Sequence, residues 1–183
     1  MLKNFLVFFA DIFETIIVAL AVFLLVYFFL IQPHRVQGDS MLPNFKHGEL
    51  ILTDKISFRI REPQKGDVIV FRAPQDSGKD FIKRIVGLPS ETIELSKGQI
   101  LVNGNAISES YLGTNSQTLP GSFLKEGTKV TMQDGEYFVL GDNRNHSSDS
   151  REWGTIKKSE IVGRAFIIYW PPNSFALVPQ VQL

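Results

Sequence analysis

The feature that most constrains this chain is the run from Ile12 to Ile31, IFETIIVALAVFLLVYFFLI, in which Glu14 is the only charged residue. Twenty such residues in a helix reach about 30 Å, the thickness of a bilayer's hydrocarbon core. The run is apolar all round, whereas a helix packed on a soluble core is apolar along one stripe. A cleavable signal peptide has an apolar stretch of about 7 to 15 residues and ends in small residues. Here the run ends in Phe28, Phe29, Leu30, Ile31, Gln32 and Pro33, so a retained transmembrane anchor over residues 1–33 is expected, with Pro33 stopping the helix. Lys3 on one side and Arg35 on the other leave the orientation tied on charge.

The remaining residues, 34–183, are enough for one domain with its own core. Short runs rich in Val, Ile, Phe and Tyr alternate with Gly, Pro, Asn and Asp: Glu49–Thr53, Asp67–Arg72, Phe81–Val86, Thr92–Leu95, Gln99–Val102, Glu136–Leu140 and Ile161–Trp170. This predicts a mainly β, antiparallel domain, with Ser96-Lys97-Gly98 as a hairpin turn and Asn103-Gly104 closing the next strand. The stretch 105–129 lacks periodicity and reads as an exposed excursion dispensable for chemistry. Nineteen basic and nineteen acidic residues cancel, so no nucleic-acid partner is expected. The absence of cysteine excludes disulfides, thiolate nucleophiles and thiolate metal sites. The three scattered histidines have no metal-site spacing, so neither metal nor cofactor is expected.

Three segments carry candidate chemistry. In Gly38-Asp39-Ser40-Met41-Leu42-Pro43 the spacing suits a tight turn that presents the serine hydroxyl and leaves backbone N–H groups for an oxyanion; alone, the motif reads more readily as plain turn chemistry. In Phe81-Ile82-Lys83-Arg84-Ile85-Val86, strand alternation puts Phe81, Lys83 and Ile85 on one face and Ile82, Arg84 and Val86 on the other. Were Lys83 on an inward face, desolvation would lower its pKa from about 10.4 and yield the neutral amine that a general base requires; facing water, it would only guard an edge. The third segment, from Gly141 to Arg151, has no aliphatic side chain in eleven residues and reads as a polar network bracing a site, or as an Asx-rich turn. A triad of Ser40, His146 and Asp142 or Asp149 is the rival scheme. His34 and His47 flank the serine without an obvious acidic partner.

Taken together and in this order, the segments resemble the boxes of the type I signal peptidases, membrane-bound Ser/Lys proteases that remove signal peptides from exported proteins. Gly38 to Pro43 resembles the nucleophile box, Gly66 to Phe71 a structural strand box, Lys83 to Pro89 the general-base box, and Gly141 to Arg151 the bracing box. The resemblance runs from the anchor to about Trp170. It implies Ser40 as nucleophile, Lys83 as base, Ser147 bonded to the lysine amine, and Asp149 paired with Arg151, with Asp142 also supporting the site. The Ser40 N–H becomes one oxyanion donor, and Gly38 stands where some members carry a serine donor. Met41, Phe45, Phe81 and Ile82 are the expected lining of two shallow substrate pockets, with the substrate added as a strand. The resemblance further implies a sheet fold shared with the self-cleaving SOS repressors, secreted preproteins as substrates, contact with membrane lipid, and a single-pass plasma-membrane protein with its catalytic domain on the extracytoplasmic face. A tethered β domain that binds peptides without cutting them, and a pilin- or conjugation-specific peptidase, are the alternatives.

Overall fold

The computed structural model describes residues 2–74, 76–113 and 116–183, without the side chains at positions 2–5, 28 and 77. Helix α1 (Leu2–Phe29) leads into strand β1 (Ile31–Arg35). The chain then forms β2 (Leu50–Asp54), the short α2 (Ser57–Ile60), β3 (Val68–Ala73), β4 (Asp76–Gly87), β5 (Thr92–Ser96), β6 (Gln99–Val102), β7 (Asn105–Ala106), β8 (Lys129–Thr131) and β9 (Glu136–Leu140). It ends with α3 (Ser150–Trp153), β10 (Ile156–Lys157), β11 (Ile161–Trp170) and β12 (Ala176–Leu177). The expected mainly antiparallel β architecture after one apolar helix is what the chain adopts.

Helix α1 holds the one candidate membrane span among the described residues, Leu6–Tyr27, and none of that window is buried against the rest of the protein. It stops at Phe29, earlier than the expected stop at Pro33. Pro33 instead lies in β1, opposite Leu52. Because β1 is an edge strand, a residue without an N–H is tolerated there. The Leu30 carbonyl at the helix end accepts from Lys55 N at 3.0 Å, which ties the helix exit to the end of β2.

Among the described residues the larger sheet has the order β1-β2-β11-β3-β4-β9-β10, with β12 added to β11, and a smaller sheet has the order β7-β6-β5-β8. Strand β3 explains why one sheet organises the domain. Its side chains alternate between two cores, Val68 and Val70 on one side with Met41, Phe45 and Ile51, and Ile69 and Phe71 on the other with Ile85, Tyr137 and Val139. Such a strand, buried on both faces, reads as a continuous apolar run, as VIVF does. A third core joins Ile93 and Leu95 of β5 and Ile100 and Val102 of β6 to Val86, Phe138 and Leu140 of the main sheet. The predicted hairpin over Ser96–Gly98 is present, with Lys97 and Gly98 both at positive φ.

The stretch 105–129, of which positions 114 and 115 lie outside the described residues, is irregular as expected but is not a free excursion. Phe123 N and Leu124 N both donate to Arg151 O, at 2.8 and 3.0 Å, and Leu124 is fully buried. A segment without hydrophobic periodicity can still be fixed by single anchors, which periodicity cannot reveal.

Candidate active site

The turn after β1 is built around Gly38, whose φ of +81° suits glycine and whose N–H donates to His47 Nδ1 at 3.0 Å. Met41 O then accepts from Asn44 N and Phe45 N, both at 3.0 Å. This helix-like turn sets Met41 and Phe45 on one side, four residues apart, where both are buried in the core with Val36 and Ile51. Ser40 is left on the other side, half-buried. Among the described residues its backbone N–H has no hydrogen-bond acceptor.

Strand β4 brings Lys83 to that hydroxyl. Lys83 Nζ is 2.9 Å from Ser40 Oγ, across 43 positions of sequence, and donates to Ile82 O at 3.0 Å. The side chain lies 5.5 Å from the Phe81 ring centroid and the residue is only 4% exposed. Burial lowers the amine's pKa from the ordinary 10.5 to about 8, with the charges of Asp149 and Asp142 pulling the other way. The neighbouring cation is used differently. Arg84 forms a buried bidentate pair with Asp142, Nε to Oδ1 at 2.9 Å and NH2 to Oδ2 at 2.7 Å, and NH1 reaches Gly66 O at 2.9 Å.

The loop 141–151 closes over the turn. Asn143 N donates to Ser40 O, and Asn143 Nδ2 to Asp39 O, both at 3.0 Å. Asp149 is buried, pairs with Arg151 through Nε at 2.8 Å and NH2 at 2.9 Å, and accepts from Gly141 N at 3.1 Å. It also caps α3 through Arg151 N. Ser147 departs from expectation. Its Oγ is buried without a hydrogen-bond partner, and the bonds of Lys83 Nζ go to Ser40 and Ile82 instead. A Cβ at Gly141 would lie 2.1 Å from Ser147 Oγ and 2.5 Å from Ser40 O, so the hydroxyl is packed against the Gly141 backbone.

A cavity of about 530 Å³ opens beside the Ser40 and Lys83 pair. One wall is residues 34–37, the other 78–83, with Ile51 and Val70 also lining it. Phe81 and Ile82 are among its lining residues, whereas Met41 and Phe45 are not: the turn that exposes Ser40 directs them into the core, and Val36, Ile51 and Val70 form the apolar part of the lining. Strand β4 pairs with β9 only from Arg84 onward, so the 78–83 segment keeps one edge unpaired with β9. His34 Nε2 meets Asp80 Oδ2 at 3.3 Å across the two walls, an acidic neighbour that lies 46 positions away and was not legible beside it in sequence. His146 is exposed, and the carboxylates a triad would need, Asp142 and Asp149, are held by Arg84 and Arg151.

The sequence model of the family described as signal peptidase, peptidase S26, matches residues 9–170. The chain belongs to the signal peptidase family. A probable signal peptidase I-1 of Synechocystis is 36% identical over 178 residues, covering 90% of this chain and 87% of that protein. A signal peptidase IB of Staphylococcus aureus is 32% identical over 172 residues, covering 88% and 89%. A crystal structure of a signal peptidase I from Enterococcus faecalis has 32% identity and a TM-score of 0.47, covering 57% of this chain and 97% of that one. The chain is thus a peptidase of the signal peptidase I type.

Several residues that tie the turn, strand β4 and the 141–151 loop together have little or no mark in the sequence. Asn143 and Arg144 sit inside the recognised polar loop, and their polarity was the available signal. Asn44, Glu109, Tyr111 and Thr118 gave none: Asn44 Nδ2 donates to Asp142 Oδ2 at 2.8 Å, Arg144 NH1 to Thr118 Oγ1 at 2.6 Å, and Arg144 pairs with Glu109. Among the described residues no group of three or more His, Cys, Asp or Glu side chains is placed to hold a metal.

Proposed function

We propose that this chain is a membrane-tethered serine endopeptidase that removes signal peptides from secreted preproteins through a Ser40/Lys83 dyad. The observation that carries the mechanism is the 2.9 Å approach of Ser40 Oγ to a buried amine whose pKa is lowered to about 8. A heavy-atom separation of about 2.6 to 3.2 Å is the reach of proton transfer, and only a neutral amine can accept the proton. Ser40 Oγ attacks the scissile carbonyl carbon while its proton passes to Lys83 Nζ. The resulting oxyanion is stabilised by the unengaged Ser40 N–H. Collapse breaks the C–N bond, Lys83 returns the proton to the leaving amine, and water, deprotonated by Lys83, hydrolyses the acyl ester. Asp149 with Arg151, and Asp142 with Arg84, hold the loop and strand that set this distance.

The substrate lies extended in the cavity, adding its backbone to the free edge at 78–83, with small side chains against Val36, Ile51, Phe81 and Ile82. Helix α1, 28 residues long and exposed along its apolar sides, is the tether, and the sheet domain sits on the extracytoplasmic face where exported chains emerge. The test is cleavage of a model preprotein in detergent, read by product mass. Ser40→Ala and Lys83→Ala are expected to be folded and inactive, and His146→Ala active. Near-normal cleavage by either dyad variant rejects the mechanism. A wild-type chain that binds the preprotein and leaves its mass unchanged rejects the peptidase reading altogether.

A further inference from the structure

Tyr111 lies in the irregular stretch between β7 and β8, remote in sequence from every residue assigned a chemical role. In space it touches all three segments that make the site. Its ring lies 4.2 Å from Arg84 Cζ, beside Lys83 on β4. Its carbonyl accepts from Asn44 Nδ2 at 2.9 Å, on the turn that presents Ser40, and the same amide reaches Asp142. Its hydroxyl accepts from Arg144 NH2 at 3.0 Å, on the loop that grips Ser40 through Asn143, and donates to Glu109 at 2.9 Å. We propose that Tyr111 is a positioning residue that fixes the nucleophile turn, the base strand and the bracing loop in one arrangement, a reading that rests on the Ser40/Lys83 mechanism above.

The physical case is that each of these contacts is a poor anchor alone and a good one jointly. A cation stacked on an aromatic face within about 6 Å is attracted more strongly when desolvated, and Tyr111 is 9% exposed. The phenol stays protonated because burial pushes its pKa up, so it donates to Glu109 and accepts from Arg144 over the working pH range. The stack packs on Arg84 where it pairs with Asp142; the Asp142 charge acts to raise the pKa of Lys83, and a cation held beside that carboxylate acts in the opposite sense. Asp142 and Asp149 are the carboxylates acting on the lysine, and Asp149 is tied separately to Arg151. Loosening Arg84 therefore both blurs the Ser40 to Lys83 distance and leaves the amine harder to deprotonate.

The experiment compares the full-length Tyr111→Phe and Tyr111→Leu proteins in detergent, with Ser40→Ala and Lys83→Ala alongside. Measured are kcat, KM and the pH profile of kcat on a preprotein, with melting curves to fix the folded fraction. Tyr111→Leu loses both the stack and the hydroxyl and is expected to lower kcat about 50-fold at little-changed KM, moving the acid limb to higher pH. Tyr111→Phe keeps the stack and the backbone contact and is expected to recover most of that loss, remaining about fivefold below wild type. Wild-type kcat per folded molecule together with an unmoved acid limb in Tyr111→Leu overturns the proposal. If Tyr111→Leu does not fold, the same result in Tyr111→Phe overturns it. Wild-type rates in the Tyr111 variants with both dyad variants dead sink only the positioning role, whereas an active Lys83→Ala sinks the mechanism beneath it.

Discussion

Raising the pH is the most direct perturbation of the proposed base, because it changes the proton on Lys83 without touching the chain. With the amine lowered to about 8, about one molecule in ten carries neutral Lys83 at pH 7 and about nine in ten at pH 9. Acylation is therefore expected to rise about tenfold between those values and then level off. A lysine at its ordinary value is neutral in only about 0.03% of molecules at pH 7 and gives about a hundredfold climb to pH 9 with no plateau below about pH 10. The height of the rise and the presence of the plateau thus separate a buried base from a solvated one. The assay is single-turnover cleavage of a preprotein in detergent from pH 6 to 10, with enzyme in excess so that bond-making and not product release is observed. A flat profile refutes lysine as the base. A hundredfold climb without a plateau refutes the desolvated amine.

Four further outcomes follow from the same geometry. Between about pH 8 and 10.5 the unfolded chain keeps a proton on Lys83 that the folded chain has shed, so this lysine lowers stability below pH 8 and the penalty fades as pH rises through that window. At about 1.4 kcal/mol per tenfold, the penalty is roughly 3 kcal/mol before the lost hydrogen bonds are counted, so Lys83→Met is expected to be inactive yet more stable by about 1 to 3 kcal/mol at pH 7 in urea titrations, with no gain at pH 11. Removing one partner of the buried Arg84–Asp142 pair strands a charge, and Asp142→Ala is expected to cost roughly 3 to 5 kcal/mol in the same titration. Gly141→Ala places a Cβ 2.5 Å from both Ser40 O and Ser147 Cβ, neither of which a side-chain rotation can clear, so the Ser40 turn and the 141–151 loop must shift apart; kcat is expected to fall about 100-fold and the melting temperature to drop with it. Gly66→Ala meets Val181 O at 1.9 Å and requires positive φ, so it is expected to lower the melting temperature and release the C-terminal residues to proteolysis.

The apolar helix and the β-rich domain were legible in the chain because each is written locally. A run of twenty residues with a single charge needs no partner to be recognised, and VIVF or TIEL carries its strand character in consecutive positions. Ser40 and Lys83 were singled out by the resemblance of four boxes in order, since each segment alone reads as a plain turn or an edge strand and neither says that the two meet. What stayed hidden depends on groups distant in sequence. Whether Lys83 is dry or wet is decided by the turn and loop packed over β4, and burial is a property of the whole fold. Met41 and Phe45 look like pocket residues on paper, and only the hand of the turn sends them inward. The part played by Tyr111 has no local trace at all, because a ring, a carbonyl and a hydroxyl each find partners 27, 67 and 33 positions away. Sequence determines which chemical groups are present and the local shape of the backbone beneath them; their distances, and with them solvation and pKa, exist only once loop closure has brought remote segments together.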